Sequence, residues 1–407
     1  MKRLILLALV VVVEMHHEPF QVVFEWKTFD FQWPSDEERR HALALGDYIA
    51  ENNFFTTVKF WKDRMYLAMP RWKDGTPVTL GVTSAKPVNG VTAPKLEPFP
   101  SWAMQKLGDC YAFQLVHSME IDPKGRMWAL DTGRPNFGNL SFGCPPRLVI
   151  LDLENAGEIL RTYEFPDHVA RRGVAYLNDV VLDHEDGMIA YITDSSEEDY
   201  GIIVYSLKNN TSWKIRHESS MMPEPEAVRF RVGNEYMTSP VPVDGIALSP
   251  ASSSDRQVYY TPLSSFHLYS IPVSVLKNNT ANIDSYVSNL GRRVSQTDGM
   301  IISAKNVLYF GLLPDNAISR WDIKNSPSFI TGQCLTWNHI LVQWPDSFAF
   351  DESGNLWCVV NKLLNFQNNH VDVNSTNYYL IRAHEGVRSY QYYENGTAPE
   401  LPDITNE

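Results

Sequence analysis

The sequence predicts an all-β fold, a six-bladed β-propeller, from three observations. A strand–turn–strand unit recurs six times along the 407 residues, about 50 to 65 residues apart. One aromatic residue recurs at the same register in every copy, and a further apolar strand follows each copy. Units of four short strands that bury their faces only against their neighbours are typical of propeller blades.

The clearest copy of the unit is Met119–Gly133, in which Asp122, Pro123 and Gly125 supply the residues that a tight turn requires. The register aromatics are Tyr66, Trp128, Tyr191, Tyr259, Tyr309 and Trp357. Third strands are predicted at Pro77–Val82, Arg147–Leu153, Gly201–Leu207, His267–Val273, Ile318–Ile323 and Tyr378–Arg382. Fourth strands are predicted in most units, for example at Leu160–Phe165, Trp213–His217 and His339–Trp344. Core packing explains the aromatics, so they are assigned no function.

The first residues indicate export. Lys2 and Arg3 precede the apolar run Leu4–Val13, which is too short to span a bilayer core of about 30 Å and is typical of a signal peptide. An uncleaved anchor is the rival interpretation. The resulting division of the chain is a signal peptide at 1–17, an N-terminal segment at 18–54 available to complete the last blade, the propeller at 55–390, and a C-terminal tail at 391–407.

Composition narrows the possible partners. A formal net charge of −13 disfavours nucleic acid, whose phosphates select basic surfaces. An apolar fraction of 44% supports a large buried core, and no stretch after the leader is apolar enough to cross a membrane. Candidate N-glycosylation sites, as expected of a secreted protein, are Asn139, Asn209, Asn210, Asn278, Asn374 and Asn395.

Four cysteines in an oxidising compartment favour two disulfides. The pairs Cys110–Cys144 and Cys334–Cys358 are preferred among the three connectivities, because each brackets a single repeat unit. Metal binding is the rival interpretation, but the chain has no Cys-x-x-Cys or His-Cys cluster, so no metal site is predicted.

A second register lies near the start of the first strand of each unit. Its members are Phe55, His117, Asn178, Asp244, Asp298 and Asp346. Because innermost strands line the channel of a propeller, these side chains are predicted to meet at one channel mouth. Converging carboxylates would favour a bound cation, either a metal ion or a protonated amine, although no cofactor is expected. The alternative is that turn hydrogen bonds and buried water satisfy the ring without a ligand.

Seven stretches carry distinctive motifs: Ala68–Leu80 with its Pro-Arg-x-x-x-Gly-x-Pro-x-Thr-Leu pattern, Leu96–Trp102, Gly125–Gly133, Cys144–Leu148, Ala247–Pro250, Tyr260–Ser265 and Leu356–Asn361. Together these stretches resemble the insect yellow / major royal jelly protein family. One departure is that this chain has Arg320-Trp321-Asp322 where relatives often have Cys-Trp-Asn, which leaves the family's usual second disulfide open here.

The resemblance implies a secreted six-bladed propeller. Some members act in cuticle or eggshell pigmentation and hardening, and salivary members bind biogenic amines at the channel mouth through positions that match Asp346 and Asn361 here. A small cationic aromatic ligand is therefore the first hypothesis, with Phe55, Tyr176 or Phe348 covering its ring. An enzyme is the second, either a dopachrome-converting isomerase with His117 as proton shuttle or a metal-dependent lactonase. A structural matrix protein is the third. The sequence leaves the oligomeric state open.

Overall fold

The computed structural model describes residues 20–136, 143–279 and 282–404, and it confirms the six-bladed β-propeller. Six four-stranded antiparallel sheets and one short hairpin make up its β-structure. Blade one contains β2 (Thr57–Trp61), β3 (Arg64–Ala68), β4 (Leu80–Ser84) and β5 (Glu97–Pro98), after the N-terminal strand β1 (Gln21–Trp26). Blade two contains β6 (Val116–Ile121), β7 (Arg126–Asp131), β8 (Arg147–Asp152) and β9 (Glu158–Glu164). Blade three contains β10 (Leu177–Asp183), β11 (Ile189–Asp194), β12 (Gly201–Ser206) and β13 (Thr211–Ile215).

The hairpin β14 (Phe230–Val232) and β15 (Glu235–Met237) separates blades three and four. Blade four contains β16 (Val243–Leu248), β17 (Gln257–Pro262), β18 (His267–Pro272) and β19 (Ser288–Arg292). Blade five contains β20 (Met300–Ile302), β21 (Val307–Leu312), β22 (Ala317–Asp322) and β23 (Gln333–Asn338). Blade six contains β24 (Trp344–Phe350), β25 (Asn355–Asn361) and β26 (Tyr378–His384).

Helices are short and lie in the connections. The α-helices are α1 (Asp36–Leu45), α2 (Glu218–Met221), α3 (Val273–Leu276), α4 (Phe329–Gly332) and α5 (Leu363–Gln367). Single 3-10 turns occupy Ala50–Asn52, Ala103–Gln105, Leu153–Asn155, Glu185–Gly187 and Pro225–Ala227. None of the helices in the described part of the chain has the length and apolar character needed to cross a membrane.

The register aromatics pack between blades. All six are at most 6% exposed, and four contact a ring of the following blade. The inter-blade pairs are Trp128–Tyr205, Tyr259–Trp321, Tyr309–Phe350 and Trp357–Phe60. Large aromatic surfaces buried on both faces of each sheet stabilise the ring of blades, which is why one aromatic recurs per unit.

Blade six is built from both ends of the chain. Strand β1 pairs antiparallel with β26, from Gln21 opposite Arg382 to Trp26 opposite Tyr378. The propeller is therefore closed by hydrogen bonds between its first and last strands. The closing strand occupies six residues of the N-terminal segment 18–54.

The fourth strand predicted at His339–Trp344 is wrong. The outer strand of blade five is β23, which ends at Asn338, and Trp344 is the first residue of the inner strand of blade six. Only five residues separate the two strands, and one of them, Val342, is fully buried. Because the segments on both sides are also rich in apolar residues, the sequence pattern could not distinguish this connection from a strand.

One of the two preferred disulfides is present. Cys110 and Cys144 are joined, whereas Cys334 is an exposed free cysteine and Cys358 a buried one, so the Cys334–Cys358 pairing is wrong. Cys334 lies on the outer strand of blade five, directly opposite Arg320, while Cys358 lies on the second strand of blade six. Position 320 is where the resemblance places a cysteine, so this chain lacks the cross-strand partner that Cys334 would face.

Five of the six candidate glycosylation sites lie in the described residues. Their asparagines, Asn209, Asn210, Asn278, Asn374 and Asn395, are all exposed. Exposure is required of an acceptor, and glycosylation itself stays a prediction. Asn139 and the predicted signal peptide at 1–17 lie outside the described residues.

Candidate functional site

Five side chains of the second register meet at one mouth of the channel. His117, Asn178, Asp244, Asp298 and Asp346 all line a single cavity of about 940 Å³. Each comes from a different blade, and each lies within two residues of the first residue of an inner strand. Phe55, the first member of the register, is fully buried among core aromatics and does not line this cavity.

Local backbone geometry aims four of these side chains. In blades two, three, four and six, the pairing between the first two strands shifts its register at one point. The second-register residue of each of these blades lies at that shift, where it has no paired partner. The shifts lie between Val116 and Met119, Leu177 and Val180, Val243 and Ile246, and Pro345 and Phe348. A β-bulge leaves a residue unpaired and redirects its side chain, as happens near many functional sites.

Hydrogen bonds link the register residues around the axis. In order round the ring they run from Thr56 Oγ1 to His117 O (2.6 Å), His117 Nδ1 to Asn178 O (3.0 Å), Asn178 Nδ2 to Asp244 Oδ1 (2.7 Å), Gly299 N to Asp346 O (2.8 Å) and Asn361 Nδ2 to Phe55 O (3.4 Å). The carboxyls of Asp244 and Asp298, the next pair round the ring, also interact electrostatically with each other. Every blade therefore contacts the next through a polar group at this mouth.

The three carboxyls have unusual electrostatics. Burial, followed by the charge of Asp298, raises the pKa of Asp244 and of Asp346 well above the ordinary value. Burial likewise raises the pKa of Asp298 to about 7, although the Trp344 indole donates to its Oδ2 at 2.5 Å. Desolvated neighbouring carboxylates repel one another, so an added positive charge would be strongly favoured.

His117 is held as a neutral imidazole. Burial lowers its pKa to about 4. Because the partner of Nδ1 is a backbone carbonyl, Nδ1 must carry the proton and Nε2 is the nitrogen left to accept one. His117 packs against Trp72 and Tyr176, with ring centroids 5.5 Å and 5.0 Å away.

Aromatic side chains form the walls of the cavity. Trp72 Nε1 donates to the Tyr176 hydroxyl at 3.0 Å, and Trp344, Phe366 and Tyr236 also line the space. Of the three ring-covering candidates named from the sequence, Tyr176 lines the cavity. Phe55 does not, and Phe348 lines the narrow channel beneath. Flat aromatic walls above carboxyl groups suit a ligand with a ring and a positive charge.

Asn361 supports the ring from behind. It is 1% exposed and is not among the residues lining the cavity. Its Nδ2 donates to Asp346 Oδ2 at 2.7 Å, and its Oδ1 accepts from the Leu363 N–H at 3.1 Å. The structure therefore places Asn361 as a positioning residue for Asp346 and for the start of α5.

Described residues cover the end of the channel opposite the cavity. Beneath the ring the channel narrows to a space of about 20 Å³, where Lys59 and Glu120 form an ion pair of 3.0 Å. At the far end the C-terminal segment crosses the axis: Tyr390 N donates to Ile302 O at 2.9 Å, and Gln391 Nε2 donates to Ile121 O at 2.9 Å. Within the described part of the chain, the mouth where the inner strands begin is therefore the route by which a ligand would reach the ring.

The rim carries charges of both signs. Lys73 and Arg134 line it together with Glu197 and Glu198. In the described part of the chain, no group of three His, Cys, Asp or Glu side chains is arranged to hold a metal ion.

Sequence reasoning missed four wall residues, namely Trp72, Trp344, Phe366 and Tyr236. Trp72 follows the Pro70-Arg71 pair of the family stretch, and Trp344 precedes Asp346 by two residues, a strand spacing that places both on one face. Those two positions carried a usable signal. Phe366 lies on α5 and Tyr236 on β15, in connections that the repeat does not describe.

Fold and site together define the class: a six-bladed β-propeller with a ring of polar side chains beneath one aromatic-walled cavity. The sequence model of the major royal jelly protein family matches residues 114–386, and the chain belongs to that family. Protein yellow of Drosophila melanogaster is 29% identical over 375 residues, covering 88% of this chain and 68% of that protein. Protein yellow of Drosophila guanche is 30% identical over 374 residues, covering 88% and 64%. Among solved structures, a luciferin-regenerating enzyme aligns over 87% of this chain and 98% of its own, with 12% identity and a TM-score of 0.47.

Proposed function

We propose that this protein is secreted and binds a small cationic aromatic molecule, of the biogenic amine or catecholamine type, in the cavity above the ring. The biological setting proposed from the family is insect pigmentation or sclerotisation of cuticle or eggshell. The observation that supports the proposal is the placement of Asp244, Asp298 and Asp346 at the floor of an aromatic-walled cavity.

The chemistry of the site matches the two ends of such a ligand. An ammonium group at the floor would donate charge-assisted hydrogen bonds to carboxylates in a water-poor setting, where such bonds are stronger than at a surface. A catechol or indole ring would lie against Trp72 and Tyr176, which are already held together by a hydrogen bond. A cavity of about 940 Å³ is large enough for such a molecule.

Calorimetric titration with dopamine tests this proposal. Saturable heat is expected with wild-type protein, and Asp346→Asn should weaken binding about tenfold to a hundredfold, since a hydrogen bond to a charged group contributes about 1.5–3 kcal/mol. Asp63→Asn is the matched control, because Asp63 is an exposed turn residue at the opposite end of blade one.

Two dopamine analogues separate the parts of the ligand. 4-Ethylcatechol, which keeps the ring without the ammonium, should bind weakly and respond little to Asp346→Asn. Butylamine, which keeps the ammonium without the ring, should also bind weakly. Absence of heat with dopamine, tyramine and serotonin alike would overturn the proposal.

The isomerase alternative has one observation in its favour, the neutral His117 beside the carboxyls. Its Nε2 would accept a proton from a ligand carbon or hydroxyl, and a neighbouring protonated carboxyl would return one. Dopachrome turnover that collapses in both His117→Ala and Asp298→Asn would support this activity. The lactonase alternative gains no support from the described residues, which hold no three-ligand metal cluster.

A further inference from the structure

The ring carboxyls lack the partners that usually accompany buried acids. Among the described residues, Asp244, Asp298 and Asp346 form no ion pair, although Asp244 and Asp346 are buried and Asp298 is partly buried. Each accepts from one neutral N–H group, supplied respectively by Asn178, Trp344 and Asn361. Neutral donors compensate a buried negative charge only in part, so three full charges in one volume are disfavoured.

The arrangement also indicates where a proton would lie. Asp244 and Asp298 are consecutive members of the ring, line the same cavity and act on each other's ionisation. Two carboxylates cannot hydrogen-bond to each other, because both are acceptors only, so a hydrogen bond between this pair requires that one of them is protonated. A carboxyl–carboxylate pair that shares one proton is a recognised solution for two acids confined together.

Charged and titratable groups on the surrounding elements do not remove the need for this proton. Beneath the ring lie Asp179 on β10 and the Lys59–Glu120 ion pair, which joins β2 and β6. Beside the ring lie His117, Tyr176 and Cys358. The rim of the cavity carries Lys73, Arg134, Glu197 and Glu198. Asp179 is a fourth acid, and burial raises its pKa to about 6. Lys59, the cation directly below, is already paired with Glu120.

We propose that the empty ring holds a proton shared by Asp244 and Asp298, and that a cationic ligand displaces this proton when it binds. The site would then exchange one positive charge for another. The proton passes to water, the ammonium takes over the charge compensation, and no covalent bond of the ligand changes. The ligand half of this proposal rests on the proposed function, whereas the shared proton does not.

The sign of the pH dependence follows from linkage. Because binding releases a proton, raising the pH favours binding, and the Kd should weaken by up to about tenfold for each pH unit below the pKa of the empty ring. Since burial raises the pKa of Asp298 to about 7 and those of Asp244 and Asp346 well above the ordinary value, binding should strengthen as the pH rises from about 5 through 7. A protein that captures amines at neutral pH would release them in an acidic compartment.

The ligand-dependent test is dopamine titration at pH 6.5 in buffers of different ionisation enthalpy. The slope of the observed heat against the buffer's ionisation enthalpy counts the protons released on binding. Wild-type protein and Asp63→Asn should release between half a proton and one proton, and Asp298→Asn markedly fewer. Saturable binding with a slope of zero in wild-type protein would overturn this inference and leave the proposed function intact.

A ligand-free test makes the inference independent of dopamine. Infrared difference spectra of wild-type protein minus the double variant Asp244→Asn/Asp298→Asn at pH 7 should show the C=O stretch of a protonated carboxylic acid, which carboxylates lack. The difference between wild-type protein and Asp63→Asn should lack it. Absence of the band from the first difference would contradict the shared proton, whether or not any amine binds.

Discussion

Asn361 donates a hydrogen bond of 2.7 Å from Nδ2 to Oδ2 of Asp346, and Asp346 is the carboxyl that blade six contributes to the ring. Asn361 lies at the end of β25, while Asp346 lies near the start of the adjacent strand β24. The same amide accepts the N–H of Leu363 at the start of α5. One buried side chain thus fixes an acid of the floor and a helix of the wall.

Asn361→Ala should therefore weaken dopamine binding about tenfold and lower the free energy of unfolding by about 1–3 kcal/mol, since it leaves a buried carboxyl oxygen without its donor. Asn377→Ala is the matched control: Asn377 is 3% exposed, and its amide donates to Lys27 O, away from the ring. It should lower stability similarly while leaving the Kd unchanged. Equal losses of affinity in both variants would contradict a positioning role for Asn361.

The neutral state of His117 predicts a loss of stability in acid. Its folded pKa is about 4 against 6.5 in the unfolded chain, so below pH 6.5 the unfolded state binds a proton that the folded state does not. Stability is therefore lost as the pH falls from about 6.5 to about 4. In His117→Gln this loss should shrink by about 3 kcal/mol, measured by urea unfolding at several pH values. If His117→Gln lost as much stability as wild-type protein between pH 6.5 and pH 4, the assignment of a buried neutral histidine would be contradicted.

The raised pKa of Asp298 predicts a pH dependence of stability with the opposite sign. Its folded pKa of about 7 lies above 3.8, so between these values the folded state binds the extra proton, and stability is lost as the pH rises from about 4 to about 7. Asp298→Asn should remove that component, about 4 kcal/mol as an order of magnitude. Comparing its urea unfolding at pH 4.5 and 7.5 with wild type measures the difference. A variant that loses stability with rising pH as steeply as wild type would refute the assignment.

Gly299 should tolerate no larger residue. A Cβ at this position would lie 2.2 Å from the backbone oxygen of Asp346, where the Gly299 N–H already bonds the same oxygen at 2.8 Å. Gly299→Ala should lower the unfolding free energy by about 3 kcal/mol or more, because backbone rather than a flexible side chain must move. Gly143→Ala is the control, since its Cβ would meet nothing closer than 3.9 Å. Similar melting temperatures for the two variants would contradict the close approach of blades five and six.

Thiol counting tests the cysteine arrangement. One thiol, Cys334, should react with Ellman's reagent in the native protein, and a second, the buried Cys358, only after unfolding. Cys110→Ser should lower stability by about 3–4 kcal/mol, because the lost bond closes a loop of 34 residues, whereas Cys334→Ser should change it little. If the unfolded, unreduced protein contained no reactive thiol, Cys334 and Cys358 would have to be joined in a second disulfide.

The sequence predicted the blade repeat and the register because both follow from strand periodicity. His117, Asn178 and the three aspartates could be aligned on their turns without knowing how the strands pair. The bulges that aim these side chains could not be foreseen, since a bulge is a property of two strands together. The walls contributed by α5 and β15 were also missed, because those connections occur once and have no repeat to align.

The disulfide error has a similar origin. Bracketing one unit is a criterion of sequence distance, whereas bonding depends on which strand faces which, and Cys334 faces Arg320 across the β22–β23 ladder. The closure of the far mouth by Tyr390 and Gln391 was likewise hidden, because a single crossing segment has neither a repeat nor a turn signature.

A crystal structure of the protein soaked with dopamine tests the central claim most directly. The account predicts the ligand in the cavity of about 940 Å³, with its amine nitrogen within hydrogen-bond distance of Asp346 or its ring neighbours and its catechol beside Trp72 and Tyr176. An empty cavity at saturating dopamine, or dopamine bound with its amine directed away from the carboxyls, would contradict it.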